Sequence, residues 1–123
     1  MCTDNKEQNN FNVIKKYLEL INYSGTIDND QVLMPNEIEA ILRKYEDKYS
    51  TYLLKSEEDF HEINYPSLAI MNKINNKDIN YCIFLKKEND KIMVISKKQI
   101  DGIWIPIPVI NRFISNIVIS NVD

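Results

Sequence analysis

An α+β fold, with helices packed on a small and mainly antiparallel sheet, is what this sequence predicts, and three observations predict it. Residues 67–96 hold three short runs rich in β-branched and aromatic residues, Ser67–Asn72, Asn80–Lys87 and Lys91–Ser96, separated by polar turns. That is strand composition at hairpin spacing. Two amphipathic stretches precede them, and their apolar stripes need a sheet to cover. The chain has 123 residues, 44% hydrophobic and 27% charged, which suits a single domain over 1–123 with a core of its own. The sheet is then the floor of the molecule, and any site lies along its edge.

Residues 1–9 are polar and read as a mobile tail. The first helix is expected over Asn10–Tyr23, where Phe11, Ile14, Leu18 and Ile21 form one stripe and Val13, Tyr17 and Leu20 widen it. Asn9 or Asn10 can cap it, and Gly25 is expected to end it, since glycine tolerates the left-handed conformation. Thr26–Met34 is a linker. The second helix is expected over Pro35–Asp47: Pro35 suits a first turn, Glu37 and Glu39 suit its positive end, and Ile38, Ile41, Leu42 and Tyr45 form the buried stripe.

Tyr49–Leu54 reads as a short strand, and Ser56–Asp59 has the spacing of a capping box for a short helix over Glu57–Ile63. Pro66 opens the first central strand, where its missing N–H costs little. Asp101-Gly102, between Gln99-Ile100 and Ile103-Trp104, is a two-residue hairpin signal. Pro106 and Pro108 break that strand. Val109–Ser115 then gives a turn or two of helix with Ile110, Phe113 and Ile114 inward, and Asn116–Ser120 a last buried strand.

The formal charge of −3 and pI of about 5.2 argue against a nucleic-acid partner, which would need a basic stripe. Lys86-Lys87 and Lys97-Lys98 read as solvated strand ends. No apolar run reaches transmembrane length and the N-terminus is polar, so neither a membrane span nor a signal peptide is expected. Cys2 and Cys82 make neither a disulfide framework nor a metal set. A reducing, cytoplasmic setting follows, with no metal or cofactor. Two glycines cannot build a phosphate-binding or dinucleotide loop.

Residues that could carry chemistry are few. Cys2 becomes an N-terminal nucleophile if Met1 is removed. Cys82 alternates with Tyr81 and Ile83 in a strand, without the helix terminus that lowers a thiol's pKa. His61 is the only histidine and reads as a surface or helix-end residue; Trp104, the only tryptophan, reads as packing at the core or its rim. The carboxylates are scattered, with no matched acid–base pair.

The order of elements resembles that of the C39 peptidases, papain-like cysteine peptidases often fused to bacterial ABC exporters, which cut bacteriocin-type leader peptides after a double glycine. Val13–Gly25, closing on Tyr-Ser-Gly, is similar to the family's first helix. Tyr65-Pro66-Ser67-Leu68-Ala69-Ile70 is similar to its Leu-Pro-Ala-Ile segment, Asn80–Leu85 to the strand its histidine opens, and Val109–Ile119 to its closing helix and strand. The resemblance puts the nucleophile's place at Asn12, the histidine's at Asn80 and the orienting aspartate's at Ser96. The oxyanion-hole glutamine's place falls near Lys6, with Gln8 close by. Asparagine serves neither as thiolate nor as proton shuttle.

The implied protein is therefore degenerate at the catalytic positions: a noncatalytic module for a peptide or protein partner, either an exporter or its substrate. The family's groove takes an amphipathic leader helix, and Leu68, Ile70, Tyr81, Phe84 and Trp104 are the residues expected to line it here. Two other readings stand beside this one. One is an active cysteine peptidase using Cys2 or Cys82 with His61. The other is a small standalone interaction or immunity-type protein whose likeness to C39 is accidental.

Overall fold

A computed structural model describes residues 6–23, 25, 35–72, 79–97, 99–113 and 117–122. Cys2, the linker, Lys98 and Ile114 lie outside the described residues, as do the side chains of Lys6, Gln8, Phe11 and Phe113.

Helix α1 spans Lys6–Leu20. Its inward face is Val13, Ile14, Tyr17 and Leu18, all buried, while Lys15, Lys16 and Glu19 face solvent. The helix starts earlier than its apolar stripe predicts, so residues 6–9, expected as tail, are helical. It also stops earlier, and not at Gly25. Asn22 takes the left-handed conformation (φ 61°). The N–H of Tyr23 donates to the Leu18 carbonyl at 2.9 Å and that of Asn22 to Glu19 at 3.1 Å, a Schellman cap with asparagine in the glycine position. Gly25 answers a different need: a Cβ there would collide with the Tyr23 ring.

Helix α2 is Pro35–Tyr45, burying Ile38 and Leu42. It is tied to the end of α1 by Tyr45, whose hydroxyl donates to the Asn22 carbonyl at 2.8 Å and whose ring meets Tyr23 edge-on at 5.0 Å.

Strand β1 (Tyr49–Leu53) follows, then the short α3 (Asp59–Glu62), β2 (Ser67–Asn72), β3 (Ile79–Glu88), β4 (Lys91–Ile95), β5 (Ile103–Pro106), α4 (Ile107–Phe113) and β6 (Ile117–Asn121). The Asp59 carboxylate accepts from the backbone N–H groups of Lys55 (2.6 Å) and Ser56 (3.1 Å). That is the reach-back half of the expected capping box. Pro108 sits in the first turn of α4, where a missing N–H costs nothing.

The six strands form one antiparallel sheet in the order β1-β6-β2-β3-β4-β5. Helices cover both faces. On one, α1 and α2 pack over Leu68, Ile70, Tyr81, Ile83, Ile95 and Ile119. On the other, Phe60 of α3 and Ile107 and Ile110 of α4 share a core with Ala69, Cys82, Phe84, Ile92, Val94 and Val118. Because both faces are covered, the central strands read as solid apolar runs rather than alternating ones.

The β3–β4 hairpin turns through Asn89 (φ 54°) and carries a bulge between Phe84 and Lys86. The β4–β5 connection differs from the two-residue hairpin expected. Its register ends at Val94↔Ile103, so Gln99 and Ile100 belong to a longer turn that Gly102 closes at φ 87°. The Asp101-Gly102 signal marks a true reversal, but Ile103 and Trp104 pair with Val94 and Met93 and not with Gln99 and Ile100. Ser67 and Ser120 are buried polar residues, and both hydroxyls donate to the Asn64 carbonyl, at 2.5 and 2.8 Å.

Candidate functional site

The long β4–β5 turn brings Ser96, Lys97 and Ile100 up beside α1, and with Ile95 at the end of β4 they frame a hollow of about 110 Å³. The helix contributes Asn12, Val13 and Lys16. Val13 and Ile95 are buried and make the floor. Asn12 and Lys16 lie on the exposed side of α1, and Ile100 is among the most exposed large apolar residues described, at 64%.

The turn is held by its own hydrogen bonds. Ser96 and Gln99 exchange backbone bonds at 3.2 and 3.1 Å, and the Gln99 N–H also donates to the Ser96 hydroxyl oxygen at 3.2 Å. Asn80, half-buried at the start of β3, joins this group through Lys97, whose ammonium donates to Asn80 Oδ1 at 3.4 Å. Asn12 and Ser96, far apart in sequence, line the same hollow, and the ammonium of Lys97, which also lines it, reaches Asn80.

Asn12 does not stand at a helix start. With α1 beginning at Lys6, the first-turn N–H groups that stabilise an anion lie well before residue 12.

The residues expected to line a groove are not together. Leu68, Ile70 and Tyr81 are buried beneath α1 and α2, while Phe84 is buried on the opposite face of the sheet. Their alternation along the strands fixes this, since neighbouring residues point to opposite faces. Of the five only Trp104 reaches the surface, on edge strand β5, with the Lys86 ammonium 5.7 Å from its ring centre.

Nor do Cys82 and His61 form a catalytic pair. Cys82 is fully buried, and burial pushes its thiol up to about 12, so it is neither reachable nor ionised at neutral pH. The exposed His61 ring points instead toward Asp90, 3.9 Å away. Lys16, Lys97 and Ile100 were missed as site residues because each has an ordinary surface reading in sequence. The only signal was an apolar isoleucine inside a polar turn.

A larger hollow of about 360 Å³ lies at the opposite edge of the sheet, between β1 and α3. Its polar walls are already employed in holding the fold: Asp59 accepts from the backbone at 55 and 56, and the Asn64 amide donates to the Asn121 carbonyl at 2.7 Å. Among the described residues no cluster of His, Cys, Asp and Glu could hold a metal, and no helix is long and apolar enough to cross a membrane.

No family model and no curated protein matches the sequence. Solved structures do match. The peptidase domain of Streptococcus ComA, described as a bifunctional ABC transporter involved in a quorum-sensing pathway, aligns at a TM-score of 0.62 and 11% identity, over 96% of this chain and 92% of that one. The fold is that of a C39 peptidase domain. The N-terminal peptidase C39-like domain of a Vibrio parahaemolyticus toxin-secretion ATP-binding protein also aligns, at a TM-score of 0.48 and 13% identity, over 98% of this chain and 99% of that one. The likeness to the ComA domain covers 96% of this chain and shows the fold alone.

Proposed function

We propose that this chain is a noncatalytic C39-like module that binds a peptide belonging to a secretion or ABC-exporter system. The observation that carries the reading is the chemistry of the hollow beside α1. The places that the C39 resemblance gives to a thiol, an imidazole and a carboxylate hold Asn12, Asn80 and Ser96, and the group around them is completed by lysine. Amides, hydroxyls and ammonium groups hold a peptide well. No thiol or imidazole stands among them, and these are the groups that cysteine-peptidase chemistry uses as nucleophile and base.

Two further features support the reading. Asn12 lies inside α1, away from the free N–H groups that would stabilise a thiolate. Cys82 is shut in the core. The exporter link rests on the fold shared with the ComA peptidase domain.

The test is fluorescence anisotropy with an N-terminally labelled, amphipathic peptide ending in Gly-Gly, titrated with the full chain. Saturable binding that survives Cys2→Ser and Cys82→Ala is expected. Absence of binding by a folded protein would remove the reading.

A further inference from the structure

The hollow beside α1 is unlike the rest of this acidic chain. The protein carries a formal charge of −3, yet two ammonium-bearing side chains, Lys16 and Lys97, line this one small space and, among the described residues, no acidic one does. Lys97 has three N–H bonds, and the bond to Asn80 at 3.4 Å uses one of them. The Ser96 oxygen accepts from the Gln99 N–H, which leaves its own O–H to donate into the hollow. The Asn12 amide adds two more donors. The polar wall is therefore rich in donors, while the floor, Val13 and Ile95, is apolar.

We infer that this hollow captures the C-terminal carboxylate of an extended peptide whose last residue is small. The inference rests on the peptide-binding reading above and names the part of the peptide that the hollow takes. An anion answers the two lysines, and a carboxylate's oxygens accept from several donors at once. The apolar floor suits the Cα and small side chain that adjoin a terminal carboxylate. Size excludes more: at about 110 Å³ the space is smaller than the roughly 150 Å³ cavity that takes a benzene. A chain end fits inside it. Ile100, exposed at the rim, gives the preceding residue an apolar shelf.

Two synthetic peptides of one sequence test this, an amphipathic peptide ending in Gly-Gly with either a free carboxylate or a carboxamide. Both are labelled at the N-terminus and titrated with the full wild-type chain. The amide form is expected to bind at least about tenfold more weakly, the scale of a lost charge-assisted hydrogen bond. Lys16→Gln and Lys97→Gln are expected to weaken the acid form more than the amide form and so to close most of the gap between them. An amide that binds as tightly as the acid overturns the inference and leaves the peptide-binding reading standing. An acid preference that survives both lysine variants overturns the assignment to this hollow. Binding by neither peptide overturns both readings. Because the acid–amide comparison uses the unaltered protein, a folding defect cannot imitate its result.

Discussion

Cys82 pairs with Ala69 across β2–β3 and faces the core shared by Phe60 and Phe84. Its burial has a measurable consequence. In the folded chain the thiol is pushed from 9.0 up to about 12, so between those values the unfolded chain has lost the proton that the folded chain keeps. Stability is full below pH 9 and falls as pH rises from there. Tyr17, Tyr65 and Tyr81, raised by burial, extend the same trend above pH 10. Urea melts at pH 8, 9, 10 and 11 should show a falling midpoint. A thiol reagent at pH 8 should leave Cys82 unmodified in the native Cys2→Ser protein and label it in urea. At this scale the sequence was least legible. It marked Leu68, Ile70, Tyr81 and Phe84 as apolar, but with helices on both faces of the sheet an apolar residue is buried whichever way it points. The same blindness hid Lys16 and Lys97, which the fold brings to the lining of one hollow.

The elements were easier to read than their ends. The central strands lie where the sequence put them, because β-branched runs bounded by polar turns leave little choice. The ends of α1 did not, because Asn22 does the work expected of Gly25. Asn22→Gly should be neutral or stabilising, and Asn22→Ala should cost about 1 kcal/mol, because alanine lacks the short polar side chain that lets asparagine tolerate the left-handed conformation. Tyr45→Phe should cost about 1 kcal/mol for the lost bond to the Asn22 carbonyl. Gly102→Ala should cost more than either, since its φ is 87° and a Cβ would lie 2.7 Å from the Met93 sulfur; chemical denaturation measures all four. The length of α1 also matters for chemistry. A triple variant, Asn12→Cys, Asn80→His and Ser96→Asp, should remain without peptidase activity towards a double-glycine peptide, because position 12 lies in a helix interior and lacks the positive terminus that lowers a thiol's pKa. Cleavage by that variant would show that the three side chains alone were missing.

For the whole molecule, the sequence pattern led to an α+β domain of C39 type, and the match to the ComA peptidase domain bears out that fold at 11% identity. What is shared at so low an identity is the fold, which the physics of covering a sheet with helices maintains. The side chains at the mouth of the hollow are under no such constraint, and the proposed noncatalytic reading rests on them. The measurement that bears most directly on the central claim is one incubation of the full chain, in reducing buffer, with a double-glycine leader-type peptide. Anisotropy reads binding, and mass spectrometry then reads the peptide's length. Saturable binding with the peptide recovered at full length is the result expected. A peptide cut after its double glycine, with cutting lost in Cys2→Ser, would contradict the account and make this chain a peptidase.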